Sequence, residues 1–250
     1  MRLLKVFILL AIFFNSPIFG DEVKMTASDV VEQYMFLKQQ AEKGAVEDKY
    51  ILFEFVDNND SILGEFITSS FNMMLKAAIS GHIPSQFKIG SMYMNGYRVE
   101  KNLPVALTWL IEAARNGNVE AELMCGINYA AQYMDQNSTK ELNRLYKESD
   151  YWLSKAMKQG SASAKVIKAH LALIHYDTPP FPALNMLRES AEKNDVRAMY
   201  FLGDWYRLQW EKNGKNNDYE QAVFWLKKAS VFGHVNAQYE LNELNVDNDK

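Results

Sequence analysis

Apolar residues along this chain recur three and four positions apart, over stretches that each close on a residue suited to a turn. Met73-Met74-Leu75-Lys76-Ala77-Ala78 leads to Gly81, and Trp109-Leu110-Ile111-Glu112-Ala113-Ala114 leads to Gly117. Trp152-Leu153-Ser154-Lys155-Ala156-Met157 leads to Gly160, Met186-Leu187-Arg188-Glu189-Ser190-Ala191 to Asn194, and Trp225-Leu226-Lys227-Lys228-Ala229-Ser230 to Gly233. A fainter earlier copy runs from Phe36-Leu37 through Ala41 to Gly44. Successive turn residues stand 37, 36, 43, 34 and 39 positions apart. That is a repeat with connections of variable length. The large residue eight before each turn, the apolar one seven before and the small one four before share a helical face. Glycine, or asparagine in one copy, supplies the left-handed cap that stops the helix.

A second helix follows each turn. Small residues stand four after it, at Ser85, Ala121, Ala164, Ala198 and Ala237, and Gly90, Gly126, Ala169 and Gly203 stand nine after it. Three positions on come Tyr93, Tyr129 and Tyr206, with Ala172 breaking the pattern. Glycine inside a helix costs roughly 1 kcal/mol against alanine, so three at one register imply close helix packing. Trp109, Trp152 and Trp225 share the core register of the partner helices. Pairs of this kind cannot bury their faces alone and stack into a solenoid. The expected fold is all-α, an α-solenoid of antiparallel helix pairs.

Ile89-Gly90, Tyr93, Gly96, Val99, Ala106, Trp109, Ala113-Ala114 and Gly117 form the fullest copy. Ala198, Leu202-Gly203, Tyr206, Ala222, Trp225, Ala229 and Gly233 form another. On these residues the chain resembles the Sel1-like repeat family, a relative of the tetratricopeptide repeats. The resemblance covers residues 71–240 and is poor over 21–70. The expected organisation is a signal peptide at 1–20, a degenerate helical repeat or cap at 21–70, and a repeat solenoid at 71–250.

The N-terminus changes the expected compartment. Arg2 and Lys5 precede the apolar run Val6–Phe14, followed by Asn15-Ser16-Pro17 and Gly20. A basic start, a short apolar centre and a small residue describe a secretory signal peptide. Nine residues rise only about 14 Å as a helix, against a hydrocarbon core of about 30 Å. An uncleaved anchor is the alternative. No cysteine follows Gly20 to carry a lipid, so the expectation is an exported, unlipidated, periplasmic protein. Losing residues 1–20 removes two basic and no acidic residues, taking the formal charge from -4 to -6. An acidic chain argues against general nucleic-acid binding. Cys125 is the single cysteine, which removes any intrachain disulfide.

Catalytic signatures are sparse. His82 and His234 both follow a turn glycine, a turn preference rather than a site. His170 and His175 are five apart, which does not place two metal ligands on one helical face. Cys125 precedes Gly126 where other copies carry Ile89 and Leu202, so it reads as a buried small hydrophobe. No serine-hydrolase elbow, P-loop or dinucleotide fingerprint occurs. No metal, cofactor or enzymatic activity is expected.

Interaction is the remaining class. Positions three before, one after and four after the helical glycine form a separate stripe. The resemblance to tetratricopeptide-like solenoids implies that this stripe lines the concave surface. It comprises Phe87, Ser91 and Met94, then Leu123, Ile127 and Ala130, then Val166, His170 and Leu173, with Tyr200, Asp204, Arg207, Tyr239 and Glu243 in the last copies. Its first three copies are apolar and the rest polar-aromatic. An open groove that apolar calls for an occupant: a foreign partner, the segment 21–70, or the long insert 130–150. Trp205 and Trp210 cluster with Tyr200 and Arg207, either as interface residues or as part of an ordinary amphipathic helix. Met73, Met74, Met92 and Met94 could supply an adaptable apolar face. Exported members of the family include envelope adaptors and immunity proteins against phospholipase effectors of type VI secretion. The resemblance therefore implies a protein-binding scaffold, an immunity protein first and an adaptor of a resident envelope protein as the alternative.

Overall fold

A computed structural model of the chain describes residues 25–176 and 181–248, and every regular element among them is helical. The expected signal peptide lies outside the described residues. The chain divides into two compact units, Met1–His82 and Ile83–Lys250. The boundary expected between residues 70 and 71 falls inside an unbroken helix, Ile67–Ile79, so the division sits at the next turn instead.

In the first unit, α1 (Ala27–Glu42), α2 (Val46–Asn58), the short α3 (Asp60–Leu63), a 3-10 turn and α4 (Ile67–Ile79) follow in order. Thr26 starts α1 with a reciprocal capping box: Asp29 N–H donates to Thr26 Oγ1 at 3.3 Å, and Thr26 N–H donates to Asp29 Oδ2 at 2.9 Å. Val30, Tyr34, Leu37, Ala41, Leu52, Val56 and Leu63 form its core, with Tyr34 stacked on Phe66 at 4.4 Å.

The second unit comprises α5 (Ile83–Asn95), α6 (Leu103–Arg115), α7 (Val119–Met134), α8 (Thr139–Lys158), α9 (Ala162–His175), α10 (Phe181–Glu192), α11 (Val196–Asn213), α12 (Asn216–Val231) and α13 (Val235–Asn248). Each helix packs on the next, and the first helices also touch one another, α7 to α9, α9 to α11 and α11 to α13. That connectivity is an all-α solenoid.

The turn residues do what their spacing implies. Gly117, Gly160, Asn194 and Gly233 have φ of +86°, +93°, +65° and +88°. In each case the next residue's N–H donates to the carbonyl of the small residue four before the turn: Ala113, Ala156, Ser190 and Ala229, at 3.0 to 3.1 Å. That next residue then caps the following helix. Asn118 accepts from Ala121 N–H at 2.7 Å, Ser161 from Ala164 at 3.3 Å, Asp195 from Ala198 at 3.1 Å and His234 Nδ1 from Ala237 at 3.4 Å. A single turn therefore closes one helix and opens the next.

The glycine register brings paired helices together. A β-carbon at Gly90, Gly126 or Gly203 would meet Leu110, Leu153 or Leu226 at 2.7, 2.6 and 2.6 Å. Those leucines stand seven before the turn residue, so the two registers interlock. Trp152 and Trp225 are buried as expected; Trp109 is only half-buried.

The 130–150 insert is no lid. It lengthens α7 and α8, whose added turns pack Ala130, Tyr133 and Leu145 against Leu171 of α9. His175 stacks on Tyr146 at 3.9 Å, and Tyr133 Oη lies 3.2 Å from its Nδ1. The four methionines also give no single exposed face, because Met74 and Met92 are core residues.

Cys125 is fully buried, and burial, helped by the Glu122 carboxylate, pushes its thiol up to about 12. Only the thiolate reacts. In a stopped-flow assay at pH 8, the native thiol should react with a disulfide reagent about a thousandfold more slowly than in the urea-unfolded chain. A native rate near the unfolded one would mean that the α7 interior opens readily.

Candidate functional site

The stripe does not form one open groove. In α5, Phe87 and Met94 pack against the core around Leu110 and Ala113, with Ser91 half-buried between them. In α7, Leu123 packs on Leu153, Ala156 and Ala164, and Ala130 is buried, leaving Ile127 exposed. In α9, Val166 and Leu173 are buried, Val166 completely. They belong to the core with Leu187 and Met199, because α9 packs on both α10 and α11 and these side chains fill the junction. Apart from Ile127, the apolar half of the stripe is thus buried or half-buried, and most of the apolar surface expected to need an occupant is taken up by the unit's own helices.

The polar-aromatic half is different. His170 of α9 stacks on Phe201 of α11 at 3.6 Å with the rings 3° apart. Tyr200 of α11 stacks on His234 at 4.1 Å and donates its hydroxyl to Glu240 Oε1 of α13 at 2.7 Å. Two turns along α11, Arg207 donates to Asp204 at 2.6 Å and to Glu211 at 2.6 Å, and its Nε stands 3.4 Å from Glu240 Oε2. Burial opposes the Arg207 charge, but Asp204 and Glu211 outweigh it and hold the guanidinium above its ordinary pKa. Burial raises the Glu240 carboxyl, against the hydrogen bond from Tyr200. It also raises the Tyr200 phenol, with Glu240 adding to the effect. Phenol, carboxylate and guanidinium form one network tying α11 to α13.

Beside this network opens a cleft of about 720 Å³. Arg207, the aromatic Trp210 and Tyr239, the acidic Glu211, Glu240 and Glu243, and Gly214 and Leu244 line it. Tyr239 is 66% exposed, whereas Trp210 is steadied by Tyr219 of α12 at 5.2 Å between ring centres. Of the stripe, Arg207, Tyr239 and Glu243 meet here, while Tyr200 and Asp204 lie behind them in the network. Trp205 turns away, into the core beside Tyr206. Glu211 and Glu240 were not part of the stripe. Glu211 is one helical turn beyond Arg207, a spacing at which a partner for arginine could have been sought. Glu240 is one residue off the register, and only the α11–α13 packing reveals it. His234, a turn residue by position, also serves as the platform for Tyr200.

His170 gives the site a pH signature. Burial lowers its pKa to about 4, with Asp204 pulling the other way. The folded value lies below the unfolded one of about 6.5, so the unfolded chain binds the proton more readily below neutrality. Stability should fall as pH drops through 6.5 and level off near 4. Between pH 7 and 5 the loss from this group is about 2 kcal/mol. Urea unfolding at the two pH values should show that loss largely removed in His170→Gln. An unchanged loss would assign the dependence to other groups.

Among the described residues no helix is long and apolar enough to cross a membrane. The profile of the Sel1 repeat matches residues 83–118 and 196–230. Among solved structures, a Sel1 repeat protein from Oxalobacter formigenes is 23% identical with a TM-score of 0.55, covering 86% of this chain and 89% of that one. The protective antigen c5321 of uropathogenic Escherichia coli, described as displaying an SLR fold, is 21% identical with a TM-score of 0.45, covering 88% of this chain and 52% of that one. No curated protein sequence matches the chain.

Proposed function

We propose that this chain, which belongs to the Sel1-repeat family, is an exported scaffold that binds another protein through the α11–α13 face. The observation that carries this reading is the cleft. Arg207, Trp210, Tyr239 and Glu243, residue types enriched in or suited to recognition, come from two successive repeats and remain accessible beside a prearranged network. The partner is a secreted antibacterial effector of phospholipase type, and the chain is its immunity protein, acting sterically. Support for export comes from the composition of residues 1–20, and for the immunity role from the known roles of exported relatives. The adaptor of a resident envelope protein remains the second reading, since the same face would serve it.

The test is capture from the envelope fraction with tagged chain, residues 21–250, beside a Tyr239→Ala/Glu243→Lys control. These two residues are exposed, so the control spares the fold, whereas changes at Phe87 or Leu123 would damage the core. A near-stoichiometric partner lost in the control supports the scaffold. If that partner is a lipase inhibited on binding, the immunity role holds; a resident protein would favour the adaptor. Binding that ignores the control would remove this face from consideration.

A further inference from the structure

We propose that the α11–α13 cleft takes a single arginine side chain from a basic segment of the partner. The inference rests on the protein-binding reading above and adds the chemistry of recognition.

The sign of the ligand follows from how the lining charges are already paired. Among the described residues Arg207 is the one cationic side chain lining the cleft, against carboxylates at Glu211, Glu240 and Glu243. It is already engaged: Asp204, behind it, and Glu211 each accept from it at 2.6 Å, and Glu240 stands 3.4 Å from its Nε. An anion entering here would have to displace one carboxylate and then lie against the others. A cation meets the reverse situation. Glu240 Oε2 is shielded from solvent and has no short hydrogen bond, its one charged neighbour being Arg207 Nε at 3.4 Å, so the carboxylates outnumber the cation that faces them. Glu243 faces the opening without a role in the network.

The shape selects among cations. Trp210 and Tyr239 both line the cleft, and a cation within about 6 Å of an aromatic ring face is attracted by the ring quadrupole. A planar guanidinium can stack on one ring and pair with a carboxylate in the same plane, which an ammonium cannot do. Leu244, a buried lining residue, suits the methylene stem. Because Tyr219 holds Trp210 and Tyr200 holds Glu240, little ordering remains for the moment of binding.

The experiment uses the whole purified chain and reads the Trp210 indole N–H resonance, assigned by its loss in Trp210→Phe. The probes are the blocked pentapeptides Gly-Gly-Arg-Gly-Gly, its lysine counterpart and its glutamate counterpart, each to about 20 mM, a range that covers millimolar binding. The arginine peptide should shift the resonance saturably, with lysine weaker and glutamate inert. Glu243→Lys should weaken arginine binding at least tenfold while leaving the helical circular dichroism unchanged. Equal shifts from all three peptides, no shift at all, or indifference to Glu243→Lys would overturn the proposal. If the chain captures a protein partner but the arginine peptide neither binds nor competes, the cleft chemistry fails and the scaffold stands. If the peptide binds with this selectivity but no protein is captured, the scaffold reading fails instead.

Discussion

Replacing Lys155 with methionine should destabilise the second unit by about 3 kcal/mol, because it strands a carboxylate in the core. Glu122 of α7 has no solvent exposure, and Lys155 of α8 places its ammonium 3.1 Å from Glu122 Oε1. Gln159, one turn further along α8, donates to the other oxygen at 2.8 Å. The ammonium also donates to the Ala114 carbonyl at the end of α6, at 3.3 Å, and lies over the Trp152 ring at 5.1 Å. One cation thus joins three consecutive helices. Breaking a buried pair from one side costs about 3–5 kcal/mol, since the surviving charge is left unpaired. The Lys155 side chain is 32% exposed, so water can reach its position and the lower end of that range applies. Converting Glu122 to glutamine in the same molecule removes the stranded charge. The double variant should recover most of the loss, and urea unfolding of the four proteins gives the coupling. A Lys155→Met protein as stable as the parent would show that Glu122 is solvated or neutral.

Gly203→Ala should lower stability by about 2 kcal/mol, the opposite of what alanine does in an exposed helix. Helix propensity favours alanine by roughly 1 kcal/mol, but the new methyl would stand 2.6 Å from Leu226 Cγ and 2.9 Å from the Leu226 backbone nitrogen. A side-chain end can swing aside; a backbone nitrogen moves only if α12 moves. At Gly90 and Gly126 the nearest backbone atoms are at 3.1 and 3.2 Å, so those substitutions should cost less. For a unit of this size the midpoint of thermal unfolding should fall by roughly 4–8 °C for Gly203→Ala. Hydrogen exchange should place the weakening in α11 and α12, because a repeat array loses stability locally before it loses it globally. A raised midpoint would mean that the two helices are further apart than 2.9 Å implies.

The two predictions differ in how far the sequence announces them. The glycine register is visible because a close helix approach excludes a β-carbon, and that demand recurs at the same offset in every copy that meets it. Where α9 carries Ala169, the offset persists but the glycine does not. The turns are visible for a similar reason. A left-handed residue followed by a capping side chain is a requirement on the residues themselves, and Gly117-Asn118, Gly160-Ser161, Asn194-Asp195 and Gly233-His234 each satisfy it. The Glu122–Lys155 pair is less visible: the residues are 33 apart and occur as a pair in one place. Nothing local marks Glu122 as buried.

The candidate face shows the same division. A stripe defined by offset from the glycine includes Arg207, Tyr239 and Glu243, which line one cleft because three- and four-residue spacing places them on related faces. It fails at Val166 and Leu173, where the offsets are the same but neighbouring helices close over them. It also omits Glu240, whose role depends on where α13 lies against α11. Periodicity, turn chemistry and the excluded β-carbon are properties of a chain segment and its nearest neighbour, so the repeat, its helices and its pairwise packing could be read from the order of residues. Whether a given stripe ends in solvent or in the core depends on the separation of helices one repeat apart. That separation emerges from all the side chains filling the gap, and it makes a cleft between α11 and α13 while closing over most of the apolar positions of α5, α7 and α9, Ile127 excepted.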